Sequence, residues 1–215
     1  MHLRISASRM IVAIGFALVC VGCDRQQQRA EVPEHNPAAA AQQAISTYDK
    51  NADGAIAGDE LKAVPALVDH PDLLAKLVDK NSDGRVTPDE IQGRVQAWLD
   101  SKVGIMSFHC TVTLDGQPLA GAKVVFEPEA FHAGAINQAT GTTSADGTAV
   151  LAVDKAKLPD HLKDISGMQT GFYKVRITHP SIRIPAKYNT ETTLGQEVSN
   201  DAAGSVNIHY DLKSR

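Results

Sequence analysis

The chain has 215 residues, a formal net charge of −4 and 21% charged residues, so it lacks the cationic excess that nucleic acid or an anionic membrane surface would demand. Its 43% apolar content is enough for packed cores and argues against wholesale disorder. The length suits one or two domains with appendages.

Arg4 and Arg9 precede an apolar run, Met10 to Val21. That run is short for a bilayer span but fits the core of a signal peptide. It ends in Cys20-Val21-Gly22-Cys23. A small residue just before a cysteine resembles a bacterial lipobox, with Cys20 standing where that pattern usually has leucine. The resemblance implies a signal peptide over 1–22, a lipid on Cys23 and a membrane anchor through it. A plain secretory signal or an uncleaved anchor is the competing reading. Residues 23–37 then form a polar tether with two prolines, Pro33 and Pro37. Cleavage leaves Cys110 as the one free thiol, so no internal disulfide is expected. Cys110 reads as a small buried hydrophobe.

From residue 38 to 102 the signals are helical. Ala38 to Tyr48 is rich in Ala and Gln, Leu73, Leu74, Leu77 and Val78 form a second apolar group, and Ile91, Val95, Trp98 and Leu99 share a stripe. Between them the twelve-residue segment Asp49 to Glu60 recurs as Asp79 to Glu90. A hard divalent cation wants six to eight oxygens, and a twelve-residue loop supplies them from positions 1, 3, 5, 7, 9 and 12, with glycine at the sharp turn of position 6. The first loop offers Asp49, Asn51, Asp53, the carbonyl of Ala55 and Glu60, with Gly54 at the turn. Ala57 at position 9 has no side-chain oxygen, so water serves there. The second loop offers Asp79, Asn81, Asp83, the carbonyl of Arg85, Thr87 and Glu90, with Gly84 at the turn. Ile56 and Val86 at position 8 are placed to pack on one another. Thr87, Pro88 and Glu90 together read as a helix start.

Both loops fit the pattern D-x-N-x-D-G-x-[IV]-x-x-x-E, and residues 38–102 are identified on it as a member of the EF-hand family. The resemblance implies two calcium sites. The 30-residue spacing is short for a sensor-type pair, so the connecting helices must be brief. No Met-rich groove for a target helix is apparent, which favours permanently filled structural sites over a switch.

From about Ser107 the texture turns to strands. Phe108, Cys110 and Val112 alternate with His109, Thr111 and Thr113. Phe172, Lys174 and Arg176 alternate with Tyr173, Val175 and Ile177, and Val206, Ile208, Tyr210 and Leu212 with Asn207, His209 and Asp211. Ala145-Asp146-Gly147 marks a hairpin, and residues 154–171 read as an irregular insertion. The turn carried by Asp115, Gly116, Pro118, Leu119, Gly121 and Ala122, the hairpin at Gly141, Thr143, Asp146 and Gly147, and the strand at Gly171, Tyr173 and Val175 resemble the carboxypeptidase regulatory-like family. That resemblance covers residues 106–215. The expected fold class is therefore multidomain α plus β: a small helical EF-hand pair, then an antiparallel, seven-stranded-type β-sandwich of the prealbumin (transthyretin-like) kind.

Neither a nucleophile elbow, a zinc-binding H-E-x-x-H nor a phosphate loop occurs. The scattered Tyr and His lack the compact spacing of an iron site, and His109 and Cys110 point to opposite faces of a strand. The expectation is a non-enzymatic, calcium-binding envelope lipoprotein, extracytoplasmic, whose β part contacts an envelope protein or polysaccharide. The alternatives are a calcium-responsive partner-binding module, or an enzyme or carbohydrate-binding protein using the 154–171 and 184–193 loops.

Overall fold

In the computed structural model, residues 34–202 and 207–215 are described. The expected signal peptide, Cys23 and most of the tether lie outside them. The order of elements begins with α1 (Pro37–Tyr48), capped by the Asn36 side chain, which accepts the Ala39 N–H at 3.0 Å. The first acidic loop follows and contains β1 (Ile56–Ala57). A 3₁₀ turn (Leu61–Ala63), α2 (Pro65–Val68), and α3 (Pro71–Leu73) running on as a π turn (Leu74–Val78) make the short connection. The second loop contains β2 (Arg85–Val86) and leads into α4 (Pro88–Ser101). Each of α1 to α4 opens on proline at its first turn, where the missing N–H goes unused. Among the described residues, no helix is long and apolar enough to cross a membrane.

The rest is strand broken by 3₁₀ turns at Ala130–His132, Lys155–Lys157, Asp160–Leu162 and Ala186–Tyr188: β3 (Ile105–Met106), β4 (Phe108–Leu114), β5 (Gln117–Pro118), β6 (Lys123–Pro128), β7 (Ala139–Thr142), β8 (Thr148–Val153), β9 (Met168–Gln169), β10 (Gly171–Thr178), β11 (Gly195–Val198) and β12 (Asn207–Leu212). Seven of them hydrogen-bond in one path, β11-β10-β6-β7-β8-β4-β12, with β5 paired to β4. All pairings in it are antiparallel except β4 with β12, where Cys110 lies beside Ile208 in parallel register. The molecule is thus α plus β with a mostly antiparallel sheet. In a flat sheet β4 and β6, three ladders apart, would be separated by about 14 Å. Their Phe108 and Phe126 rings meet at 5.4 Å, so the sheet curls over. Val112, Leu151, Val175, Tyr173 and Leu212 fill the space inside, as the alternation in the sequence requires. Cys110 is fully buried there, and burial pushes its thiol up to about 12.

One strand departs from the alternation. Phe172 belongs with Lys174 and Arg176 on the outer face of β10, yet it is 1% exposed. The helices cover it. Trp98 of α4 meets its ring at 4.9 Å, and Phe131, from the turn after β6, meets it at 5.8 Å. Phe131 and Phe172 belong to the same core cluster as Tyr48, Ile56, Val86, Ile91 and Val95. The helical segment has no complete core of its own. Residue 195 must be glycine for the same reason: a Cβ there would lie 2.1 Å from the Ala66 nitrogen. The approach of α2 also covers the edge strand β11, where the Gly195 N–H reaches Asp69 at 3.1 Å.

His35 and His132 complete this seam, 9% and 2% exposed with rings 5.2 Å apart. Burial lowers His35 to about 4 and His132 to about 3, from an ordinary 6.5. A group whose folded-state pKa is depressed in this way lets the unfolded chain take up protons first, so stability falls as pH falls from about 6.5 to about 4. Relative to an H35F variant, the wild type should lose up to about 1.4 kcal/mol per pH unit across that window in urea titrations. An unchanged difference between the two proteins at pH 7 and pH 5 contradicts a buried neutral His35. Phe172→Ala should cost about 3–5 kcal/mol, and helical and sheet signals should melt together in both proteins.

Candidate metal centres

The two acidic loops have the same local geometry. In the first, both oxygens of Asp49 accept backbone N–H groups, from Asp53 at 3.2 Å and Gly54 at 2.9 Å. In the second, Asp79 accepts from Asp83 at 3.2 Å and Gly84 at 2.9 Å. Asn51 and Asn81 each accept from the residue two places on, at 2.9 and 3.0 Å. The amide of each donates to the carboxylate of Asp53 or Asp83, at 3.2 and 2.9 Å. Asp53 and Asp83 in turn take the N–H of Ala55 and Arg85, at 3.1 and 2.9 Å. Turning this tightly needs left-handed backbone, found at Ala52 (φ 60°) and Gly54 (φ 87°), and again at Ser82 (φ 57°) and Gly84 (φ 76°).

Glu60 and Glu90 close the loops. Glu60 accepts the N–H of Lys50 at 2.8 Å through one oxygen and of Ala57 at 3.1 Å through the other. Glu90 accepts the matching pair, Lys80 at 3.1 Å and Thr87 at 3.0 Å. Thr87 completes a capping box on α4, as its sequence announces. It donates its hydroxyl to Glu90 at 2.9 Å. The loops lie side by side because Ile56 pairs with Val86 across β1 and β2, both residues wholly buried. Arg85 reaches across to Asp53 at 2.9 Å, and that hydrogen bond holds the Asp53 carboxyl below its ordinary range. Among the described residues, no group of three or more His, Cys, Asp or Glu stands close enough to hold a metal ion. The carboxylates are spent on loop amides in this arrangement, and two of the expected donors in each loop are an Asn amide and a backbone carbonyl.

Residues that sequence reasoning missed tie these loops to the sheet. Tyr48, the residue before Asp49, donates its hydroxyl to Glu129 at 2.8 Å. Glu129 is 1% exposed, and burial raises its carboxyl against the pull of Lys174 at 3.4 Å. Arg94 lies on the buried stripe of α4, where its guanidinium donates to Glu197 at 2.6 Å, to Ser199 at 2.9 Å, and to both oxygens of Asp201 at 2.8 and 2.6 Å. Trp98 adds a hydrogen bond to Glu197 at 2.8 Å. Burial raises the Glu197 carboxyl, whereas the Arg94 hydrogen bonds bring the half-exposed Asp201 down to about 2. One signal for Arg94 was present: it sits three residues after Ile91 and four before Trp98, on the apolar face.

No family model matches this sequence, and no curated protein does either.

Arg94→Ala would leave Glu197 buried without its cation. It should cost about 3–5 kcal/mol of stability in denaturant titration. An R94M/E197L double variant, which removes both charges, should recover most of that loss. A double variant no more stable than R94A would show that the pair is not the cause.

Proposed function

We propose that residues 38–102 are an EF-hand pair whose two loops each bind one calcium ion. The supporting observation is the repetition itself: two loops 30 residues apart share their turn geometry, their side-chain-to-amide bonds and a β pairing at position 8. Nothing in ordinary Asx turns asks for a glutamate at the twelfth position or for that pairing. The donor chemistry also suits the ion: oxygens only, three carboxylates per loop, and no soft ligand. A calcium ion supplies the positive charge that lets these carboxylates stand together. Asp49, Asn51, Asp53, the Ala55 carbonyl and Glu60 would hold one ion. Asp79, Asn81, Asp83, the Arg85 carbonyl, Thr87 and Glu90 would hold the other. Arg85, already on Asp53, offsets part of the first loop's charge.

A structural role for the ions fits better than a signalling one. Tyr48 and Arg94 anchor α1 and α4 to buried carboxylates on the sheet side, so the helices flanking the loops are not free to open. The chain as a whole then reads as a non-enzymatic, lipid-anchored envelope protein. Cys23 is its anchor, and the curled sheet is an interaction module of the carboxypeptidase regulatory-like, sandwich kind. The N-terminal sequence supports the anchor, and the turn and hairpin glycines of residues 115–147 support the module.

Calcium titration calorimetry on the intact chain should give two binding events. The melting temperature should be higher in calcium than in chelator, by the equivalent of about 2.7 kcal/mol for each site when calcium stands at a hundred times its dissociation constant. Glu60→Gln and Glu90→Gln should each remove one event. No heat and no shift in melting would sink the calcium reading.

A further inference from the structure

A groove of about 450 Å³ runs between the first turn of α1 and the turn at residues 130–135. The methyls of Ala39, Ala40, Ala133 and Ala135 line it, with the side chains of Glu34, Asn36 and Phe131. His35 and His132 line it too. Among the described residues, each has a buried ring nitrogen with no hydrogen-bond partner: Nε2 of His35 and Nδ1 of His132.

The tautomer of His132 is settled by its other nitrogen. Nε2 accepts the Phe172 N–H at 2.9 Å, so it carries the lone pair. A neutral ring must then hold its proton on Nδ1. Burial keeps both rings neutral down to about pH 4. Among the described residues, His132 is therefore a donor without an acceptor, and the His35 Nε2 can serve as the acceptor beside it. The same tautomer denies His132 to a metal ion, which would need the Nδ1 lone pair. Buried polar groups are normally satisfied by protein, by ordered water or by a bound molecule, so two orphans beside one groove call for an explanation.

We propose that this groove binds a small uncharged amide. Its carbonyl accepts from His132 Nδ1, its N–H donates to His35 Nε2, and its apolar end lies against the alanine methyls. An amide carries donor and acceptor on separate atoms, as the two rings do, whereas an alcohol carries both on one. Charge is unwelcome: surroundings that strip two histidines of their protons disfavour any buried ion, and Glu34 at the groove repels a carboxylate. Both nitrogens lie beneath the groove surface, so binding requires the His35 ring to turn aside. Among the described residues, ring contacts to Trp98 at 6.0 Å and to His132 at 5.2 Å hold it in place, not hydrogen bonds.

The test is a nuclear magnetic resonance titration of the intact chain labelled with ¹⁵N-histidine, using propionamide, propionate and propylammonium in turn. The free protein should show His132 as the Nδ1–H tautomer. Propionamide should shift that resonance saturably, with propionate and propylammonium at least about tenfold weaker. An A39L variant, at an exposed helix position that leucine tolerates, should melt as the wild type does and lose the response. H35F should keep the ring packing and weaken propionamide by about tenfold. No saturable shift with propionamide, an equal response to propionate, or undiminished binding in A39L would each overturn the proposal.

Discussion

The contact between Trp98 and the outer face of β10 holds this molecule together. The helical segment is built from one helix of twelve residues, one of fourteen and several single turns. Elements that short do not bury enough apolar surface among themselves to offset their ordering entropy. They borrow the missing surface from Phe172 and Phe131. The sheet gains in return, because a bulky aromatic on its outer face leaves water and its edge strand β11 is covered.

The positions of the acidic loops follow from that contact. The first loop begins at the residue after Tyr48, whose hydroxyl is tied to a buried glutamate of the β region. The second ends in the capping box of α4, whose buried stripe carries Trp98 and Arg94 to the sheet. Each loop thus has one end fixed to a helix that is itself fixed to the sheet. The loops then face one another through Ile56 and Val86. A pair of carboxylate-rich turns needs such fixed ends, since the repulsion among their charges would otherwise push the chain apart.

The seam is also where polar groups are buried, and each polar group there carries a desolvation cost. Arg94, Glu197 and Ser199 satisfy one another and fix how α4 sits on β11. A buried ion pair of this kind adds little stability over apolar residues of similar volume, but it penalises every misaligned packing of helix on sheet. One ring nitrogen of each neutral histidine, like one oxygen of Glu129, lacks a partner among the described residues. The histidine nitrogens lie beside a groove lined by alanine methyls, Phe131, Glu34 and Asn36.

The local pattern of the chain alone determined a good deal. The sharp turns at Gly54 and Gly84 and the packing of Ile56 on Val86 were legible because the spacing within each twelve-residue segment sets them. The capping box at Thr87 and the inward alternation of Phe108, Cys110 and Val112 were legible for similar reasons, since both depend on spacing along one element. The parallel pairing of β12 with β4 was not, because register between distant strands is decided by closure of the whole sheet. Neither was Phe172, which alternation assigned to the solvent side. The partners of Arg94, His35, Tyr48 and His132 lie dozens of residues away in sequence or on another layer. Which buried polar group meets which is decided only when helices and sheet are packed together, for that step alone removes the water these groups would otherwise keep.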